Sequence, residues 1–158
     1  ARLKPFSELT PSWNHDTPLR NHFERRQALV EIDVLAAMSF GLSLEDLEFI
    51  YDIQFPVLRQ NEDDTWYDQK GNVVYSVSLC KKGVGVDRAT WNTIRGEQLS
   101  DNIYQGATSS YIHTVPVEKS ELYGGEQVTY YAPYTRCDRI ADYQRAWTFF
   151  EERFKNED

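Results

Sequence analysis

Between Leu19 and Tyr51, apolar residues recur at helical spacing, and a single break, Gly41-Leu42-Ser43, interrupts them. Two apolar helices joined by so short a turn fold back on one another as a helical hairpin and bury their facing stripes. The first helix is expected from Pro18 to about Phe40. Thr17 is the expected N-cap, and Pro18 stands at the first helical position, where its missing N–H costs nothing. The first half has a wet side carrying Arg20, Glu24, Arg25 and Arg26; the second half, Val30 to Met38, is apolar nearly all round and belongs at the centre of a core. Gly41 closes this helix in the left-handed position after its end. Ser43 and Asp46 form a capping box that opens the second helix, whose stripe is Leu44, Leu47, Ile50 and Tyr51. Pro56 ends or kinks it near Gln54 or Phe55. Arg59 to Asp64 then reads as a polar, acidic connection.

The pattern changes after Asp64. Thr65-Trp66-Tyr67 and Val73 to Val77 flank the turn Asp68-Gln69-Lys70-Gly71-Asn72, which predicts a β-hairpin. Lys81 to Val86 is a glycine-bearing loop, and Asp87 caps a short helix through Trp91 and Ile94. Residues 96–110 read as polar and irregular. Strands are expected over Tyr111 to Val117 and Glu126 to Tyr131. Asp138 caps a final helix to about Lys155, with Ile140, Tyr143, Trp147, Phe150 and Phe154 as its packing stripe against the N-terminal hairpin, and Trp147 in the core. The fold class is α+β: an N-terminal helical hairpin and a C-terminal helix packed with a small, mainly antiparallel sheet. Residues 1–16, with Pro5, Pro11 and Asn14-His15-Asp16, are expected to be an extended arm, and residues 17–158 a single domain. The chain begins Ala-Arg-Leu-Lys without an initiator Met, as a piece excised from a larger protein does.

Charge narrows the functional classes. With 17 Lys+Arg against 25 Asp+Glu, the net charge of −8 repels a polyanion at long range, so any contact with nucleic acid must be local. Cys80 and Cys137 are too few and too far apart for a disulfide scaffold, and with three His they give no zinc spacing; free thiols in a reducing, cytoplasmic setting are expected. No segment approaches the ~20 apolar residues of a membrane span.

The one place where bases, glycines and an aromatic meet in a loop is Lys81-Lys82-Gly83-Val84-Gly85 with Arg88 and Trp91. Lysines supply charge, glycines let a backbone approach an anion, Arg binds phosphate, and Trp can stack on a base. These residues are the candidate DNA contacts, against the plainer reading of a mobile surface loop. Arg20 to Arg26 is read instead as a solvated helix face. Glu62-Asp63-Asp64 with Asp68 raises the thought of a Mg²⁺-dependent nuclease or hydrolase, but the acid-spacer-lysine pattern is missing (Glu118-Lys119 has no spacer), and a solvated turn is the simpler reading. Ser109-Ser110 lacks a nucleophile elbow, and the chain has no glycine-rich dinucleotide fingerprint. No catalytic residue and no metal ligand is assigned.

Three stretches also carry a resemblance: Ala28 to Ala37; Tyr51-Asp52-Ile53-Gln54-Phe55-Pro56-Val57-Leu58-Arg59-Gln60 through Asp68; and Cys137-Asp138-Arg139 through Trp147. Together they resemble the C-terminal region of large bacterial, especially actinobacterial, restriction–modification DNA methyltransferases, over most of residues 20–150. Those are multidomain adenine methylases, some fused to a nuclease or linked to phage defence. The resemblance implies a non-catalytic accessory or DNA-recognition module, with S-adenosylmethionine and the catalytic motifs held by an upstream methyltransferase domain and DNA met through the parent protein. The competing expectation is a structural scaffold or oligomerisation domain without DNA contact.

Overall fold

In the computed structural model, which describes Ser12 and residues 17–115 and 127–157, the Gly41 break is a hairpin between α1 (His22–Ser39) and α2 (Leu44–Gln54). Gly41 takes φ +72°, and its N–H and that of Leu42 reach back to the carbonyls of Met38 and Ala37, closing the last turn. Ser43 and Asp46 cap α2 reciprocally, as their spacing predicts. The start of α1 differs from the expectation at Thr17-Pro18: Asn21 is the N-cap, its side chain accepting from Glu24 N at 2.8 Å. Its neighbour Phe23 is tied to the first β-turn, its N–H donating to the Gly71 carbonyl at 3.1 Å. The arm expected over residues 1–16 falls outside the described residues but for Ser12, as do residues 116–126, where the strand expected to Val117 ends and that expected from Glu126 begins.

Pro56 both ends α2 and begins α3 (Pro56–Asp63), so the connection expected over Arg59 to Asp64 is helical. The same missing N–H that stops one helix is harmless at the first position of the next. The C-terminal helix, α5 (Arg139–Glu157), starts as predicted, with Asp138 Oδ1 accepting from Ala141 N at 3.0 Å. It lies against α1 and α2. Val30, Val34 and Ala37 from α1, Leu47 and Tyr51 from α2, and Tyr143, Ala146 and Phe150 from α5 form one buried cluster. Each buried Val, Leu or Phe side chain among them stabilises the fold by roughly 1.5–3 kcal/mol. Trp147 corrects the expectation of a core residue: it is half-buried, flanking the cluster in an apolar groove beside Met38, Leu42 and Phe154.

The strands are β1 (Thr65–Tyr67), β2 (Val73–Ser76), β3 (Gln98–Ser100), β4 (Ile103–Tyr104), β5 (Ser110–Thr114), β6 (Gln127–Tyr131) and β7 (Tyr134–Arg136). All pairings are antiparallel. The five-stranded sheet runs β2-β1-β7-β4-β3, and β5 pairs with β6 apart from it. Residues 96–110 therefore contain two short strands instead of an irregular segment. Trp66, Tyr75, Val86, Trp91, Ile94, Tyr130 and Tyr134 form a second, mainly aromatic cluster over this sheet and α4 (Arg88–Ile94). The hairpin turn is held by Asp68, 4% exposed, whose carboxylate accepts from Lys70 N at 2.9 Å, Asn72 N at 2.8 Å and Tyr131 N at 3.3 Å. One buried carboxylate thus fixes the turn and ties it to β6. No helix among the described residues is long and apolar enough to cross a membrane.

Candidate nucleic-acid interface

The segment expected to be a mobile loop is a clamped turn. Cys80–Lys82 is one turn of 3₁₀ helix, ended by Gly83 at φ +82°. The Val84 N–H returns to the Leu79 carbonyl at 3.1 Å. Gly85, at φ +75°, passes so close to the Val74 carbonyl of β2 that a Cβ there would collide with it. Its neighbour Val86 donates to the same carbonyl at 2.8 Å and is 1% exposed. Gly83 and Gly85 thus serve the turn and the sheet contact. Asp87 caps α4, accepting from Thr90 N at 2.9 Å and Thr90 Oγ1 at 3.0 Å.

The six candidate residues divide. Lys81, Lys82 and Arg88 are exposed on this turn and at the first position of α4, and none is in an ion pair with a described residue. Trp91 is 3% exposed, which corrects its reading as a stacking residue. Its indole lies parallel to Tyr75 at 5.5 Å between centroids and meets Trp66, Tyr104 and Tyr134 at 5.5–5.7 Å. A side chain so enclosed cannot reach a base without unfolding the cluster. Trp91 anchors the platform from which the three cations project. His113 of β5 stands within electrostatic range of Asp87; burial lowers its pKa and Asp87 opposes that.

A second concentration of ionisable groups lies between α1, α3 and α5, and the sequence reading missed it. Glu62 accepts from four donors. Its Oε1 takes Arg26 Nε and Arg139 Nη2, each at 2.8 Å; its Oε2 takes Arg139 Nε at 2.8 Å and the Tyr51 hydroxyl at 3.1 Å. Arg26 also pairs with Asp142, and Arg139 with Asp33 at 2.8 Å. The side chains of Arg26, Arg139, Glu62 and Asp142 are only 8, 5, 12 and 5% exposed. Burial alone would raise the Glu62 pKa, but the Arg139 hydrogen bonds and the Arg26 charge hold it below its ordinary value. Arg139 is driven up, its burial outweighed by the bonds to Glu62 and Tyr143. Neither Glu62 as part of a solvated turn nor Arg26 as part of a solvated helix face survives. The signal lay in the phase of the helices: Arg26 and Asp33 are spaced to share the side of α1 that carries Val30 and Val34, and Arg139 and Asp142 fall in the same phase as Tyr143 and Ala146.

A cleft of about 280 Å³ beside this network is lined by Arg59, Asp63, Asn102, Arg136 and Cys137 among others. Its charges are turned on one another. Arg59 pairs with Asp52 at 2.6 Å, while Arg136 donates to Asn102 Oδ1 at 3.1 Å and to the Asp63 carbonyl at 3.2 Å. Burial pushes the Cys137 thiol up to about 11, which makes it a poor nucleophile near neutrality. Among the described residues no group of His, Cys, Asp and Glu could hold a metal ion; Glu62 and Asp68, from the acidic stretch weighed for Mg²⁺, are each spent on internal hydrogen bonds. Comparison with protein families, characterised proteins and solved structures finds no match for this chain.

Proposed function

We propose that this chain is a non-catalytic accessory module of a restriction–modification DNA methyltransferase, and that it meets the DNA backbone through Lys81, Lys82 and Arg88. The observation that carries the reading is the segregation of charge. Residues 44–64 hold seven acids and one base, whereas residues 65–115 hold five bases and four acids, and three of those bases stand exposed, two on one clamped turn and one at the start of α4. The −8 of the whole chain is therefore not what a phosphate would meet at this edge. Contacts of this kind position a protein on a duplex without reading its sequence. The reading is supported further by the interior network, whose charges satisfy each other and leave little chemistry pointing outward. In this setting S-adenosylmethionine and methyl transfer belong to the upstream methyltransferase domain.

The test is a fluorescence titration of labelled duplex DNA across about 50–200 mM salt. Three phosphate contacts give a slope of log affinity against log salt near −2.7, and losing two of them takes away roughly 1.8 of it. Lys81→Glu with Lys82→Glu should weaken binding, flatten the slope by about that amount and leave the thermal midpoint unchanged, since both side chains are exposed. Unchanged affinity across the series, with the fold intact, would remove this edge and favour a scaffold role.

A further inference from the structure

Five large apolar side chains stand in water within ten residues of chain: Phe49, Ile53, Phe55, Val57 and Leu58 are 64, 55, 49, 69 and 38% exposed. Phe49 and Ile53 are one helical turn apart on the side of α2 away from its buried Leu47 and Tyr51. Phe55 joins α2 to α3, and Val57 and Leu58 open α3, whose residues other than Glu62 are exposed. Single exposed apolar side chains are ordinary on a protein surface; five within ten residues, on two adjoining helices, exceed that background.

The charge around this face names what it contacts. Apart from Glu62, whose charge is taken up by Arg26 and Arg139, residues 44–64 hold six acids and one base. Their one base, Arg59, is already paired with Asp52, while Glu45 and Asp46 stand exposed on the same helix as Phe49 and Ile53. We propose that the α2–α3 face docks an amphipathic helix with basic flanks, supplied by another protein or domain. An apolar ridge at i, i+4 spacing packs into the groove of a second helix. Lysines and arginines beside the apolar stripe of that helix would meet the acids, which sets its register and speeds encounter. A second copy of this face would bring the same acids against their like, and an anionic lipid surface would be repelled. The inference concerns a different surface from the turn before α4 and stands or falls without DNA contact there.

The probes are two synthetic helical peptides of equal length with the same leucine face, one with lysine and one with glutamate on the polar face. Each is titrated with the full chain by fluorescence anisotropy. The lysine peptide should bind at least about tenfold tighter, a difference of ~1.4 kcal/mol. Phe49→Ser with Ile53→Ser should lower its affinity by at least about as much, with circular dichroism and thermal midpoint unchanged because both side chains are exposed. Glu45→Lys should weaken the lysine peptide and strengthen the glutamate peptide. Equal binding of the two peptides would overturn the proposal, and so would lysine-peptide binding that survives the serine substitutions, since that would be general attraction to an acidic chain. Sedimentation showing dimers that the serine substitutions dissolve would assign the face to a second copy, and serine-sensitive binding to phosphatidylserine vesicles would assign it to a membrane; either result overturns it too.

Discussion

Replacing Glu62 by Gln removes one charge and changes no shape, so the stability it costs reads directly on the network between α1, α3 and α5. Each carboxylate oxygen of Glu62 now accepts two donors, from Arg26, Arg139 and Tyr51. An amide has one oxygen. Whichever way Gln turns, its NH₂ faces two donors that lose their acceptor, and two arginines with side chains 8 and 5% exposed lose the carboxylate they share. Breaking a buried pair by removing one partner costs about 3–5 kcal/mol, and here two arginines are affected at once, each left with one carboxylate, Asp142 for Arg26 and Asp33 for Arg139. For a chain of this length that lowers the midpoint by roughly 6–20 °C. Asp52→Asn is the matched control: its pair with Arg59 has side chains 51 and 54% exposed, and such pairs contribute about 0–1 kcal/mol. Urea unfolding followed by tryptophan fluorescence and circular dichroism gives both values, provided the two probes coincide. If Glu62→Gln costs no more than Asp52→Asn, the reasoning about the network fails.

Two further outcomes follow from burial. Trp91→Ala should cost ~3–5 kcal/mol, since the indole is 3% exposed and packed by four aromatic rings. The half-buried Trp147 should cost about half as much when truncated, and the reverse order in denaturant melts would contradict the packing described. On pH, the Glu62 pKa is lower folded than unfolded, so its contribution is fully present above its ordinary 4.5 and is lost as pH falls through the folded value. His22 and His113, both lowered by burial from 6.5, act with the same sign, while Glu31, raised by burial, opposes them as pH climbs past 4.5. Melts between about pH 3 and 8 should therefore show an acid limb that Glu62→Gln makes shallower; an unaltered limb would show that another group sets it.

What the sequence disclosed was local. Gly41, the Ser43–Asp46 box, Asp87 and Asp138 each announce a helix end through a side chain or backbone conformation that acts within four residues. The β1–β2 hairpin is legible for the same reason, since its turn lies between its strands. What stayed hidden depends on distant partners. β7 has three residues, no periodicity, and pairs with β1 some 68–70 positions earlier in register. α3 was obscured by reading Pro56 as a stop alone. Trp91 looked available because nothing near it in sequence reveals the four rings that enclose it. Of the candidate site, the three cations keep the exposure expected of them, whereas the two glycines and Trp91 belong to the fold. Arg26 and Glu62 sat in runs of charge that composition assigns to water, and only the helix phase placed them inside.

The order of the sheet also bears on how the chain is made. β7, at residues 134–136, is the strand between β1 and β4, and α5, at residues 139–157, supplies Tyr143, Ala146 and Phe150 to the helical cluster. Neither half of the molecule is complete until these last elements leave the ribosome. At about 5–20 residues per second, the segments carrying Val30, Val34, Trp66 and Tyr75 wait several seconds in the cell with their apolar faces open. During that interval the nascent chain is a substrate for chaperones and a target for proteases, and a premature stop anywhere before residue 134 leaves both clusters unsealed at once.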